Sequence, residues 1–209
     1  MTTERTQHWE RVYAEKSPDE VSWFQREPRV SHTLITRAAP SKAASILDVG
    51  GGASTLSDAL LSSGYVQLAV LDIAAGALNR TRARLGAGAE RIQWVVGDVL
   101  QAPLRDASVD VWHDRAVLHF LTAPGDRAAY LAQLRRVLKP DGRVVIATFA
   151  ADGPTRCSGL DVVRYSAHEL QAFFGLEFVL SETILEDHMT PSGKLQRFTY
   201  CRFDRRTAA

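Results

Sequence analysis

Ser45-Ile46-Leu47-Asp48-Val49-Gly50-Gly51-Gly52-Ala53-Ser54 is the stretch that decides the fold. An apolar run ends on an acid and enters three glycines, and a helix-like pattern follows from Thr55 to Ser63, so the segment reads as strand, tight turn and helix. Glycines in such a turn let a ligand approach the backbone, and in an open α/β sheet ligands lie beyond the carboxyl ends of the strands. A bare triple glycine is also compatible with a turn that binds nothing.

Outward from that turn, short apolar runs alternate with helical patterns from Ala43 onward, as in a sheet built from βαβ units. The runs predict strands at Ser45–Val49, Gln67–Asp72, Ile92–Val96, Val109–Asp114 and Arg143–Phe149, with helices at Thr55–Ser63, Ala74–Leu85 and Ala128–Leu138. Leu138-Lys139-Pro140-Asp141-Gly142 reads as a stop and turn before the fifth strand. A helix at Ala167–Phe174 and two apolar runs, Leu176–Ile184 and Leu195–Phe203, joined through Pro191-Ser192-Gly193, predict a closing antiparallel pair. Residues 1–42 are polar and aromatic and read as a separate lid-like segment, leaving 43–209 as the α/β domain.

Two further acids share the position of Asp48. Asp72 closes the second predicted strand and Asp98 the third, where one carboxylate can accept from ribose hydroxyls and the other from an exocyclic amine. A dinucleotide fingerprint running from Gly50 would need glycine at position 55, which is Thr55, and Asp48 would repel its pyrophosphate. An adenosine ligand without phosphate and with positive charge suits these acids better; S-adenosylmethionine is such a ligand.

The 209 residues fit one domain with an appendage. With 25 Lys+Arg against 24 Asp+Glu there is no global field for a nucleic acid or an anionic membrane. No apolar run approaches a membrane span, and the charged start has no apolar signal region, so a cytoplasmic protein is expected. Cys157 and Cys201 stand apart with no Cys/His ladder, so no metal is expected.

Residues Ala43–Ala151 together resemble the class I S-adenosylmethionine-dependent methyltransferases: Ile46–Gly52, Leu71-Asp72, Gly97-Asp98 and Leu134–Thr148 are similar to four of that family's motifs. The resemblance implies a Rossmann-like, seven-stranded, mostly parallel sheet flanked by helices and closed by a C-terminal antiparallel hairpin. It implies S-adenosyl-L-methionine as cofactor, with Asp48, Gly50, Gly51 and Gly52 around the methionine end. Asp72 and Ile73 would serve the ribose, Gly97, Asp98 and Val99 the adenine, and Asp114 would stand at the methyl. Ser54 replaces the family's third glycine; it is small and can cap the next helix.

The acceptor is to be sought where the fourth strand runs into Asp114-Arg115-Ala116-Val117-Leu118-His119-Phe120. Asp114 and Arg115 are either an ion pair anchoring the loop or a catalytic pair in which Arg115 orients an anionic or polar substrate. His119 is either a packed histidine or a proton acceptor, directly or through water. Trp9, Tyr13, Trp23 and Phe24 form an aromatic cluster that completes the core, closes over the site, or both, with Phe120 beside it. Asp-Arg-Ala-x-Leu is similar to the thiopurine methyltransferase branch, which implies a thiol or related soft nucleophile. The Trp-rich start resembles several protein-lysine methyltransferases, the alternative. A small-molecule acceptor is expected, with no nucleic acid and no membrane as partner.

Overall fold

The structure, a computed structural model, describes residues 2–206. The chain runs α1 (Thr2–Glu15), α2 (Arg29–Ala38), β1 (Ser45–Val49), α3 (Leu56–Ser62), β2 (Gln67–Asp72), α4 (Ala75–Leu85), β3 (Ile92–Val96), β4 (Val109–Arg115) and α5 (Pro124–Val137). It continues through β5 (Leu138–Phe149), β6 (Arg156–Cys157), β7 (Leu160–Asp161), α6 (Ala167–Phe174), β8 (Phe178–Met189) and β9 (Leu195–Arg205). Seven strands form one sheet in the order β3-β2-β1-β4-β5-β9-β8. β3 to β5 across this order are parallel, whereas β9 runs antiparallel to both β5 and β8, as the resemblance implied.

Helices cover both faces, so the central strands are apolar on both sides. Leu47, Trp112, Val144 and Ile146 pack in one layer with Tyr130, Leu134 and Phe174. Ile46, Val70, Val111 and Val145 face the other layer, with Leu34, Ile35 and Leu60. Trp112 is fully buried, and its Nε1–H donates to Tyr130 Oη at 2.9 Å. Truncating a side chain of that size in a packed core costs about 3–5 kcal/mol.

The strand order reverses between β1 and β4, and a crevice opens there at the carboxyl edge. Register sets the strand ends level: Val49 pairs with Leu71 and Asp114, and Asp72 pairs with Val96. The turns after β1, β2, β3 and β4 therefore converge on one crevice.

Three segments differ from the sequence expectation. α5 begins at Pro124, a turn earlier than Ala128, because proline at the first helical position gives up an amide that would have no partner there, and Asp126 favours the helix start. Lys139 to Gly142 do not end an element. β5 already starts at Leu138, opposite Val109, and resumes with Arg143 opposite Val111, so the four residues bulge out and Lys139 Nζ donates to Asp110 at 2.8 Å. The stretch after β5 contains the small hairpin β6–β7, turned at Ser158-Gly159 with both φ positive.

Candidate active site

The glycine turn is shaped by its neighbours. Gly50 has φ +67°, and a Cβ there would overlap the Val117 Cγ2 methyl, so glycine is required both by backbone conformation and by space. Gly50 N–H donates to Leu71 O at 2.7 Å, tying the turn to the end of β2. Thr81 Oγ1 donates to Gly52 O, and Arg84 donates to Ala53 O and Ser54 O, holding the loop from α4. Ser54 Oγ accepts from Leu56 N–H at 3.1 Å, so it does serve the start of α3.

Val49, Gly50, Leu71, Asp72, Ile73, Gly97, Asp98 and Val99 line one cavity at the carboxyl edge of the sheet. Asp72 Oδ1 accepts from Ala74 N–H at 2.8 Å; burial pushes its carboxyl up to about 7, with the Ala74 amide opposing. Asp98 Oδ1 accepts from Leu100 N–H, while Oδ2 lies 3.3 Å from Arg5 Nη1. Arg5 also pairs with Asp126. Two carboxylates thus face one pocket, together with Arg5, Arg115 and an aromatic wall, and they fit the hydroxyls and amine of an adenosine.

Asp48 is placed differently. It lines a second, smaller cavity with Ser31, Phe24, Gln25, Gly51 and His113, and is absent from the walls of the first. Its Oδ1 accepts from His113 Nδ1 at 2.7 Å, His113 Nε2 lies 2.9 Å from Ser31 Oγ, and Oδ2 has no protein partner. Gly50 borders both cavities. A cationic tail reaching past Gly50 would meet this open carboxylate oxygen. Phe24 belongs to this second cavity and not to the cover of the first.

At the acceptor end, Arg115, Ala116, Val117, Phe120, Cys157 and Leu160 complete the main cavity. Asp114 does not line it. Its carboxylate is fully buried and accepts from Tyr130 O–H at 2.6 Å, Val117 N–H at 2.8 Å and Leu118 N–H at 3.1 Å, so it fixes the turn after β4. Burial lifts its carboxyl to about 6, with Tyr130 foremost among the donors that oppose the rise. Nor does Asp114 pair with Arg115 as expected: Arg115 Nε donates to Tyr200 Oη at 2.7 Å and Nη1 to Trp23 O at 2.9 Å. His119 is likewise fully buried and absent from the walls. Its Nδ1 accepts from Phe149 N–H at 3.4 Å, and burial, reinforced by Arg115, lowers its pKa to about 3. The cavity offers it no proton to take, so the structure places it with the packed histidines.

Over the cavity, Trp9 meets Phe120 edge-on with ring centroids 4.9 Å apart and Trp23 at 5.8 Å, while Tyr13 and Trp23 stand 6.2 Å apart. Glu10 of α1 accepts from Ala75 N–H at 2.7 Å, at the start of α4. Arg5, Glu10, Thr81, Arg84, Val117 and Tyr200 went unread in the sequence because each acts across a separation that no local pattern encodes. Among the described residues no group of three His, Cys, Asp or Glu is placed to hold a metal ion, and no helix is long and apolar enough to cross a membrane.

Comparison with known proteins bears on the same segment. Residues 47–146 match the family model of a methyltransferase domain. The chain is 33% identical over 115 residues to a ubiquinone/menaquinone biosynthesis C-methyltransferase of Roseobacter denitrificans, covering 54% of this chain and 45% of that protein. It is 30% identical over 135 residues to a malonyl-[acyl-carrier protein] O-methyltransferase of Serratia marcescens, covering 65% and 49%. The chain thus spans about half the length of the curated relatives it matches. A solved structure described under the conversion of a disulfide bond into a thioacetal group during echinomycin biosynthesis shares the fold with TM-score 0.75 at 18% identity, over 98% of this chain and 94% of that one. The Burkholderia thailandensis 1,6-didemethyltoxoflavin-N1-methyltransferase, solved with S-adenosylhomocysteine bound, gives 0.69 at 18% identity over 97% and 84%. Residues 47–146 thus match a methyltransferase domain in sequence, and the whole sheet shares its fold with solved S-adenosylmethionine-dependent methyltransferases, to which the chain is similar.

Proposed function

We propose that this chain transfers the methyl group of S-adenosylmethionine to a small-molecule nucleophile. The observation that carries the reading is the placement of Asp72 and Asp98, from the ends of adjacent strands, in one cavity with Arg115 and Phe120. Asp72 and Ile73 would hold the ribose, Gly97, Asp98 and Val99 the adenine, and Gly50 to Gly52 the methionine end, with Asp48 reached from beyond the glycine turn. The cofactor supplies a sulfonium-bound methyl that an in-line nucleophile displaces. The chain's own contribution is then to orient the acceptor and keep water out, which Arg115 and the Trp9, Trp23 and Phe120 cover are placed to do.

In this reading α1 and the Trp23 segment serve as the lid, while α2, expected to be part of that lid, belongs with 43–209 to the methyltransferase domain, because its Leu34, Ile35 and Ala38 pack in the core. The acceptor is a thiol or related soft nucleophile; a protein lysine is the alternative, and a roof formed by α1 favours the smaller molecule. We place the protein in the cytoplasm, where the unbridged Cys157 and Cys201 stay reduced. Calorimetry with S-adenosylmethionine, S-adenosylhomocysteine and NAD, followed by a methyl-transfer screen of thiols, phenols, amines and proteins, tests the reading. Binding of both adenosyl ligands and transfer to a small thiol are expected; NAD binding without response to the adenosyl ligands would overturn it.

A further inference from the structure

Among the described residues one buried donor in the acceptor half makes no hydrogen bond and has only a long ion pair, to Glu186. Arg115 Nη2 makes no hydrogen bond, although the side chain is only 10% exposed. Its other groups are committed: Nε to Tyr200 Oη, Nη1 to Trp23 O, and the guanidinium face to Phe198, 4.4 Å from the ring centroid. Glu186 is the nearest carboxylate, at 4.0 Å from Nη2, beyond hydrogen-bonding distance. Its own oxygens accept from Gln25 Nε2 at 2.9 Å and Tyr200 O–H at 2.8 Å. A buried cationic donor left open in this way is costly unless something else completes it.

A second observation is independent of the first. The titratable side chains on the cavity wall are Arg5, Tyr13, Asp72, Asp98, Arg115 and Cys157. Asp98 is engaged by Arg5, and Asp72 lies at the cofactor end with its Oδ1 taken by the Ala74 amide. Tyr13 and Cys157 are buried neutral groups whose ionisation burial disfavours. Among the described residues the acceptor end therefore presents no anionic side chain to take a proton, which suits a nucleophile that arrives already ionised or already soft.

We infer that Arg115 Nη2 recognises a carboxylate, and that the acceptor class is a small arene or similarly apolar body bearing that carboxylate beside a soft or already ionised sulfur or oxygen nucleophile. This rests on the methyltransferase reading and names its second substrate by charge. Trp9, Trp23 and Phe120 supply apolar, aromatic walls for such a body, and Tyr200, Trp23 and Phe198 hold the guanidinium still so that little ordering is needed on binding. Arg115 is then the specificity-determining residue.

The test uses 2-mercaptobenzoate and 4-hydroxybenzoate against their methyl esters, which keep the thiol or phenol and lack only the carboxylate charge. Calorimetry on the full chain saturated with S-adenosylhomocysteine should show each acid binding at least tenfold tighter than its ester. Arg115→Gln should erase that difference while changing S-adenosylhomocysteine affinity less than twofold, and Arg115→Lys should restore part of it. Equal binding of acid and ester, or binding of neither, overturns the inference. So does an Arg115→Gln protein that loses S-adenosylhomocysteine and keeps the preference, since the arginine would then serve the cofactor. Methyl transfer to ester and acid alike would overturn the anion requirement while leaving the methyltransferase reading standing; absence of S-adenosylhomocysteine binding would remove that reading itself.

Discussion

Glu10 and Ala75, 65 positions apart in the chain, make the contact that α4 cannot make for itself: the Glu10 carboxylate accepts from the Ala75 amide at 2.7 Å. Ala74, at the helix cap, has no side chain that could do so. An N-terminal helix therefore supplies the missing cap of the helix that follows Asp72, and the negative charge also suits the helix start.

Replacing Glu10 should loosen α1 more than it loosens the sheet. Glu10→Ala is expected to cost about 1 kcal/mol, the usual value of a lost cap. Hydrogen exchange of residues 3–15 should quicken while β1 and β4 amides stay protected, and dissociation of S-adenosylhomocysteine should quicken with it. Uniform acceleration across the chain would show that the contact supports the whole fold instead.

Asp72 should set opposite demands on stability and on binding. Its folded pKa lies near 7, above the ordinary 3.8, so the native state holds the proton more tightly and loses stability as pH rises between those values. The loss is on the order of 4 kcal/mol at most. Asp72→Asn should accordingly raise the melting temperature of the ligand-free protein at pH 8 and much less at pH 4. The same substitution should weaken S-adenosylmethionine by about 1–3 kcal/mol, by removing charge-assisted bonds to hydroxyls. Thermal scans at the two pH values and calorimetry at pH 8 measure both.

His119 should act with the opposite sign. Its folded pKa is near 3 against an ordinary 6.5, so the unfolded chain binds the proton better and stability falls as pH drops through that window. His119→Phe should flatten the loss between pH 6.5 and 4 in urea titrations. The pH dependence of methyl transfer above pH 6.5 should be unchanged, because the ring does not border the cavity. Loss of the acid limb from the mutant's rate profile, where a base gives up its proton, would restore the ring to catalysis.

Gly50→Ala places a methyl where Val117 already stands and demands φ +67° of a residue with a Cβ. A cost of about 2–4 kcal/mol is expected from overpacking and backbone strain together. Val117→Ala in the same chain should recover the packing part and leave roughly 1 kcal/mol of strain. Additive losses in that double mutant would mean that the two side chains do not share the space.

The centre of the sheet was legible because its strands are buried on both faces, so that Ile46-Leu47, Leu68–Leu71 and Val144–Ala147 stand out as apolar runs, whereas edge strand β3, with Gln93 and Val96 exposed, was read from Ile92, Trp94 and Val95. The cavity's cofactor wall was legible for the same reason: Asp72 and Asp98 sit at the strand ends where the pattern stops. Orientation was not legible. Asp48 follows the same pattern, yet the turn directs it to His113 and a second cavity. Asp114 and His119 follow β4 as an acid and a base do in a catalytic loop, but the positive φ of Ala116 and the bonds to Val117 and Leu118 fold both inward. The early start of α5 did carry a local signal, in Pro124 and Asp126. The contacts of Arg5 and Glu10 carried none, since each depends on where a distant helix comes to rest.

The antiparallel placement of β9 has a consequence for how such an enzyme can be re-engineered. Arg115 leaves β4 within the cofactor half, but its guanidinium is held by Tyr200 and Phe198 of β9, with Glu186 of β8 joined to Tyr200. The last two strands thus act as an adjustable jaw on a fixed vice: exchanging residues along 184–200 would reset the angle and reach of the arginine, and on the proposed reading the choice of molecule with it, without altering a single residue at the end of β1, β2 or β3.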